Sequence, residues 1–237
     1  MEIVAAKYRV VSGSWFKLLA VISMAIDHTA LFILRYIPQY NELLLLLDGR
    51  ELSLYALMRL FGRIAFPLFA FFVVEGFIHP RNRRRYALNL AIFALISEIP
   101  WQLLNSAPFY ATHSVMPTLL IGVLGMAAME HFSNNAKQRG IALISLLVLS
   151  FLLRADYGAL GYGFIVMLYA LRRERALQIV AGTAMFWRQP VVFLTLCTLL
   201  FYNGERGFIR STFAKYLFYA FYPLHLFIIY VVRHFVL

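Results

Sequence analysis

The chain has 237 residues, 62% of them hydrophobic and only 14% charged, with a mean hydropathy of +0.74. A soluble domain is nearer half apolar and a quarter charged, so the composition excludes an ordinary soluble enzyme. The apolar runs are continuous rather than alternating, which argues against a β-barrel. The formal charge of +11 is scattered over separate loops of a membrane protein, which argues against a nucleic-acid partner.

A helix needs about 20 mostly apolar residues to cross the hydrocarbon. The first predicted span covers about residues 16–36. The stretch "PQYNELLLLLDGRELSLYALMRLFGR" that follows is too interrupted to span and is expected at the interface. The second span is predicted at 64–78 and the third at 86–104, bent or ended near Pro100. Further spans are predicted at 115–132, 141–153, 158–171, 176–187, 190–202 and 216–236, that at 176–187 being short. No repeat of 20 to 50 residues is visible. No small-residue cleavage pattern precedes Asp27, so no removed signal peptide is expected.

The loops set the orientation, because Lys and Arg favour the cytoplasmic side. Lys7, Arg9 and Lys17 precede span one, and "RNRRR" at 81–85 follows span two. Lys137 and Arg139 follow span four, "RRER" at 172–175 follows span six, and Arg206, Arg210 and Lys215 follow span eight. The intervening loops are poorer, except for Arg50, Arg59 and Arg63 before span two. The expected fold is an all-α, polytopic bundle of about nine spans, with eight and ten as bounds and a cytoplasmic N-terminus. It forms one integral-membrane domain over 1–237, in contact with lipid.

Five ionisable residues are predicted at mid-depth. At 1.5 Å per residue, His28 lies roughly 18 Å along span one, Glu98 roughly 18 Å along span three and His225 roughly 14 Å along span nine. Glu75 falls in the inner half of span two, and Asp27 adjoins His28. Such groups cost several kcal/mol unless paired or hydrated, and they commonly mark functional paths. For Glu75 or Glu98 alone, a structural pair explains the residue. Asp27 and His28 point about 100° apart on a helix, so one neighbour cannot satisfy both, which favours function. For Arg63, an ion pair with Asp27 or Glu98 and a substrate role stay equally open. Lys17, Met24 and His28 share one helical stripe leading inward. No zinc-type spacing is present, so no metal is predicted. Gly122 and Gly125 are expected to permit close helix packing.

Six blocks carry a resemblance. They are "FKLLAVISMAIDH", "GRIAFPLFAFFVVEGFIHPRNRRRYALNLAIFALISEIPW", "TLLIGVLGM", "DYGALGYG", "FYNGERG" and "YLFYAFYPLHL". Together, and in order over nearly the whole chain, they resemble the TraX family, named for the conjugative pilin acetylase. The chain departs from that pattern before TLL, where it reads "HSVMPTLL". The resemblance implies a multi-pass protein of the bacterial cytoplasmic membrane that moves an acetyl group from acetyl-CoA. The implied acceptor is a protein N-terminus, as in pilin, or a hydroxyl such as that of a glycan.

Acetyl transfer from a thioester needs a base, and imidazole suits that role near neutral pH. His28 is the expected base, with Asp27 orienting it or holding a cation. For His225, a proton relay, polarisation of the thioester carbonyl and an acetyl-carrying role stay open. Glu75 and Glu98 complete the candidate catalytic set. Arginine binds phosphate bidentately, so Arg81, Arg83, Arg84, Arg85, Arg172, Arg173 and Arg175, with Lys17 and Arg63, are the expected CoA ligands. Two rival classes are a proton-coupled transporter, which would show repeat symmetry and broken helices, and a non-catalytic scaffold, which would not need Asp27 beside His28.

Overall fold

The computed structural model describes residues 6–42, 44–47, 50–79, 82–106 and 111–235. Helix α1 (Gly13–Phe32) opens the helical part of the chain. A short antiparallel hairpin of Leu45–Leu47 and Arg50–Leu52 follows, with Leu45 opposite Leu52. Then come α2 (Leu54–Gly62), α3 (Ala65–Ile78), α4 (Arg83–Asn105), α5 (Val115–His131) and α6 (Ala136–Leu152). The chain continues as α7 (Gly158–Ala170), α8 (Arg175–Met185), α9 (Pro190–Thr198) and α10 (Thr212–Phe235).

One expectation changes. The stretch before residue 64 is not wholly interfacial. The Ser53 hydroxyl accepts the Ala56 N–H at 3.2 Å and so starts α2, a side-chain cap of the usual kind. Leu54–Ile78 then forms one apolar segment of 25 residues, broken only by a turn near Arg63. The span expected at 86–104 is covered by α4, and of the two outcomes expected at Pro100 the helix does not end there: it runs on to Asn105. Proline removes one backbone bond, and the ladder on either side continues. The helix ends at Ser106, whose φ of 51° is left-handed and whose N–H bonds the Gln102 carbonyl.

By length and apolar composition, four segments among the described residues can cross a membrane: Gly13–Tyr36, Leu54–Ile78, Arg83–Asn105 and Thr212–Phe235. Val115–His131, Gly158–Ala170 and Pro190–Phe201 are apolar but shorter. Leu95, Ile99, Phe151, Leu194 and Ile228 are exposed on the helices. So much apolar surface is rare on a soluble monomer and is expected of a protein solvated by lipid.

The chain forms two compact units. Met1–Phe69 with Phe186–Leu237 makes the first, and Ala70–Met185 makes the second. In the first, α1 packs on α2 and α10. In the second, α5 packs on α4, α6 and α7, and α7 also meets α8. A Cβ at Gly122 of α5 would lie 2.6 Å from the Ile165 side chain of α7, so glycine sets that close approach as expected.

Candidate active site

The first unit joins His28 of α1 to His225 of α10. His28 Nδ1 and His225 Nε2 are 2.7 Å apart, and each residue is 7% exposed. The ring planes are parallel to within 5°. A nitrogen pair at 2.7 Å is closer than stacked rings can come, so the contact is an in-plane hydrogen bond. Phe32 and Tyr222 set their rings 6.0 and 5.9 Å from that of His28.

The bonding order fixes the tautomers. His225 Nδ1 lies 2.8 Å from the Phe221 carbonyl. A carbonyl only accepts, so His225 Nδ1–H is the donor. Neutral His225 therefore has its lone pair on Nε2, and His28 Nδ1–H donates to it. Neutral His28 in turn carries its lone pair on Nε2, the nitrogen a base would use.

Asp27 is ion-paired with Arg59 of α2. The seam around that pair is close. A Cβ on Gly62 would collide with the Asp27 side chain, so any larger residue there has to move α1 or the carboxylate. One turn back, Ser23 donates to the Phe61 carbonyl at 2.7 Å. Arg63 closes α2, its N–H bonding the Leu60 and Phe61 carbonyls. Lys17 lies on α1, half-buried, ahead of buried Met24 and His28.

The second unit holds the other two acids. Glu98 Oε1 accepts the Ser114 N–H at 2.9 Å, and Oε2 accepts His113 Nδ1–H at 3.0 Å. Gln102 donates to Oε2 at 3.4 Å and to the Thr112 carbonyl at 2.7 Å. Ser114 is the N-cap of α5, so Glu98 fastens the start of that helix. Glu75 of α3 lies 3.9 Å from the Nδ1 of His79, just past the end of that helix.

The basic loops are unequal. Arg83 is ion-paired with Glu130 of α5 and lies 4.7 Å over the Phe77 ring. Tyr169 donates its hydroxyl to Glu130 Oε1 at 2.5 Å. Arg172 lies 4.2 Å over the Tyr169 ring and donates to the Tyr169 carbonyl at 2.8 Å. Arg175 lies 4.6 Å over Phe71 and donates to Gln178 at 2.6 Å. Arg84, Arg85 and Arg173 are exposed. Arg81 lies outside the described residues.

Compared with known families, the one described as TraX protein matches residues 12–233. The chain belongs to the TraX family. A relative named "Probable fimbrial assembly protein FimC, serogroup H1", from Dichelobacter nodosus, is 30% identical over 246 residues, covering 91% of this chain and 93% of that protein. No solved structure matches the chain.

The TraX assignment bears out the resemblance seen in the six blocks. The family's namesake acetylates F-pilin. Two of the TraX-like blocks, "SMAIDH" and "YPLHL", are those that supply the bonded histidines. The sequence reading did not single out Arg59, His113, Glu130 or Tyr169 as site residues. Arg59 had a signal: it shares one helical face with Gly62 and Arg63 at i+3 and i+4. Glu130 had one too, as the lone acid of an apolar helix ending among basic loops.

Proposed function

We propose that this TraX-family protein is a multi-pass acetyltransferase of the bacterial cytoplasmic membrane, one domain of about nine spans with a cytoplasmic N-terminus. It moves an acetyl group from acetyl-CoA to an amine, as at a pilin N-terminus, or to a hydroxyl acceptor. The observation that carries this reading is the buried His28–His225 pair with its lone pair on His28 Nε2.

Acetyl-CoA supplies the acetyl group as a thioester. His28 Nε2 takes the proton that the acceptor amine or hydroxyl gives up as it attacks the carbonyl carbon. The C–S bond breaks as the new C–N or C–O bond forms. His28 then returns the proton to the departing thiolate, so the base is restored. His225 holds His28 in the productive tautomer and shares the added charge through Nε2. Asp27, paired with Arg59, fixes the rotation of α1 from which His28 projects. Glu98 acts within the second unit, where it fastens the start of α5.

The second unit suits a polyanionic donor. Guanidiniums seated on aromatic rings keep a fixed plane, and exposed Arg83 and Arg172 offer donors to phosphate. The exposed Arg84, Arg85 and Arg173 add attraction.

The test uses purified protein, radiolabelled acetyl-CoA and a panel of amine and hydroxyl acceptors, with thioester hydrolysis as a second signal. A ligand that binds the native state raises the melting temperature, so CoA is expected to raise it. A protein with no such shift, no hydrolysis and no transfer would not be an acetyl-CoA enzyme.

A further inference from the structure

Glu130 stands in a place where a carboxylate needs an explanation. It is the acid at the end of α5, between the basic end of α4 and the basic turn after α7. One oxygen pairs with Arg83 and the other accepts the Tyr169 hydroxyl at 2.5 Å. The Arg83 and Glu130 side chains stay 47% and 37% exposed. An ion pair this open contributes little to folding. What it supplies is direction.

A guanidinium is a planar fork of five donors. Arg83 has its face on Phe77 and one Nη on Glu130, so its plane is set. Arg172 has its face on Tyr169 and one Nη on the Tyr169 carbonyl. The two supporting rings touch, with Phe77 and Tyr169 edge-on at 5.6 Å. Glu130 thus ties both guanidiniums into one rigid assembly, and each keeps most of its donors. Two fixed forks side by side suit a doubly charged phosphate group, which accepts bidentately.

We infer that Glu130 and Tyr169 are positioning residues that hold Arg83 and Arg172 as a cradle for a phosphate group of the acetyl-CoA donor. The inference rests on the acetyl-CoA reading above. A phosphate of the same chemistry can also come from an anionic lipid headgroup, and the experiment separates the two sources.

The variants are Glu130→Gln and Tyr169→Phe, the second keeping the ring that carries Arg172. Each is placed in nanodiscs of neutral lipid and assayed with acetyl-CoA, with acetyl-dephospho-CoA and with acetyl-pantetheine, which has no phosphoanhydride or phosphomonoester. Loss of the tie is expected to raise KM for acetyl-CoA about tenfold, the scale of a weakened charge-assisted contact, with kcat and ligand-free Tm unchanged. KM for acetyl-pantetheine should not move. A change shared by acetyl-dephospho-CoA assigns the cradle to the diphosphate, and one confined to acetyl-CoA assigns it to the phosphomonoester. Equal losses with all three donors would make Glu130 a structural residue and overturn the inference. So would unchanged KM values, or an effect seen only when anionic lipid is added to the nanodiscs. Failure of the acetyl-CoA reading is distinct, because wild-type protein would then bind and turn over none of the three donors.

Discussion

Each unit holds a histidine whose tautomer is fixed by a partner, but the partners differ: His28 is buried and His113 only partly so. In the first unit His28 donates to His225, which donates to the Phe221 carbonyl. In the second, His113 donates to Glu98, which also accepts the Ser114 N–H. The first chain of bonds is neutral and sits mid-helix among aromatic rings. The second includes a carboxylate and sits on a helix start. A carboxylate bonded to a backbone N–H is committed to holding that segment. A neutral imidazole that donates from Nδ1 to another keeps its second nitrogen basic. On this contrast we propose His28 as the base and Glu98 as a structural support.

The largest effect expected is from His28→Ala. Removing a general base costs about 10²–10⁴ in rate, so transfer should vanish while the protein stays expressed and monodisperse in detergent. Retained turnover would dissolve the contrast between the two units.

Asp27→Asn comes next, because Asp27 joins α1 to Arg59 and both side chains keep only 18% and 21% of their surface. The loss should be roughly 1–3 kcal/mol of stability, less than for a fully buried pair. Turnover should fall with it, since the same seam carries His28. A double variant with Arg59→Met tests the pairing. Partial recovery of stability is expected, and an Asp27→Asn loss that is the same in the Arg59→Met background as in the wild type would show that Asp27 acts without Arg59.

The sequence makes this division only partly readable. Asp27, His28 and His225 stand out because ionisable groups in apolar runs are costly. Glu98 stands out for the same reason, yet its task depends on where His113 and Ser114 return in space, and no periodicity reports that. Arg59 was hidden in a segment read as too interrupted to span. A cap at Ser53 starts α2 within it, and α2 carries its arginine to Asp27. The count of full spans was the least legible feature, because helices of 11 or 17 residues have compositions like those of longer ones.

Glu98→Gln sharpens the comparison from the other side. The amide keeps one acceptor oxygen, so the Ser114 N–H and His113 Nδ1–H can no longer be accepted by separate oxygens, and His113 must change tautomer or lose its partner. An unsatisfied buried donor costs about 1–3 kcal/mol. The expected result is a lower unfolding midpoint, with turnover per folded molecule little changed. The reverse pattern, normal stability with turnover lost, would move Glu98 into the chemistry.

His113→Ala has the smallest expected effect and tests the comparison most directly. Glu98 would lose one donor but keep the Ser114 N–H and the Gln102 amide. His113 also bonds through its backbone, its N–H to the Arg154 carbonyl at 3.3 Å and its carbonyl to the Asp156 N–H at 3.0 Å, and alanine preserves both. The Thr118 hydroxyl separately ties α5 to the Asp156 carbonyl at 2.7 Å. What disappears includes the side-chain bond to a carboxylate that retains other partners. The cost should therefore be about 1 kcal/mol, read as a small drop in unfolding midpoint, with kcat and KM within twofold of wild type on that same scale. A carboxylate-bound imidazole is, however, also the standard form of an activated base. If His113→Ala removed turnover while leaving the midpoint alone, the second unit would hold a base of its own, and His28 would no longer be distinguished by its neutral partner.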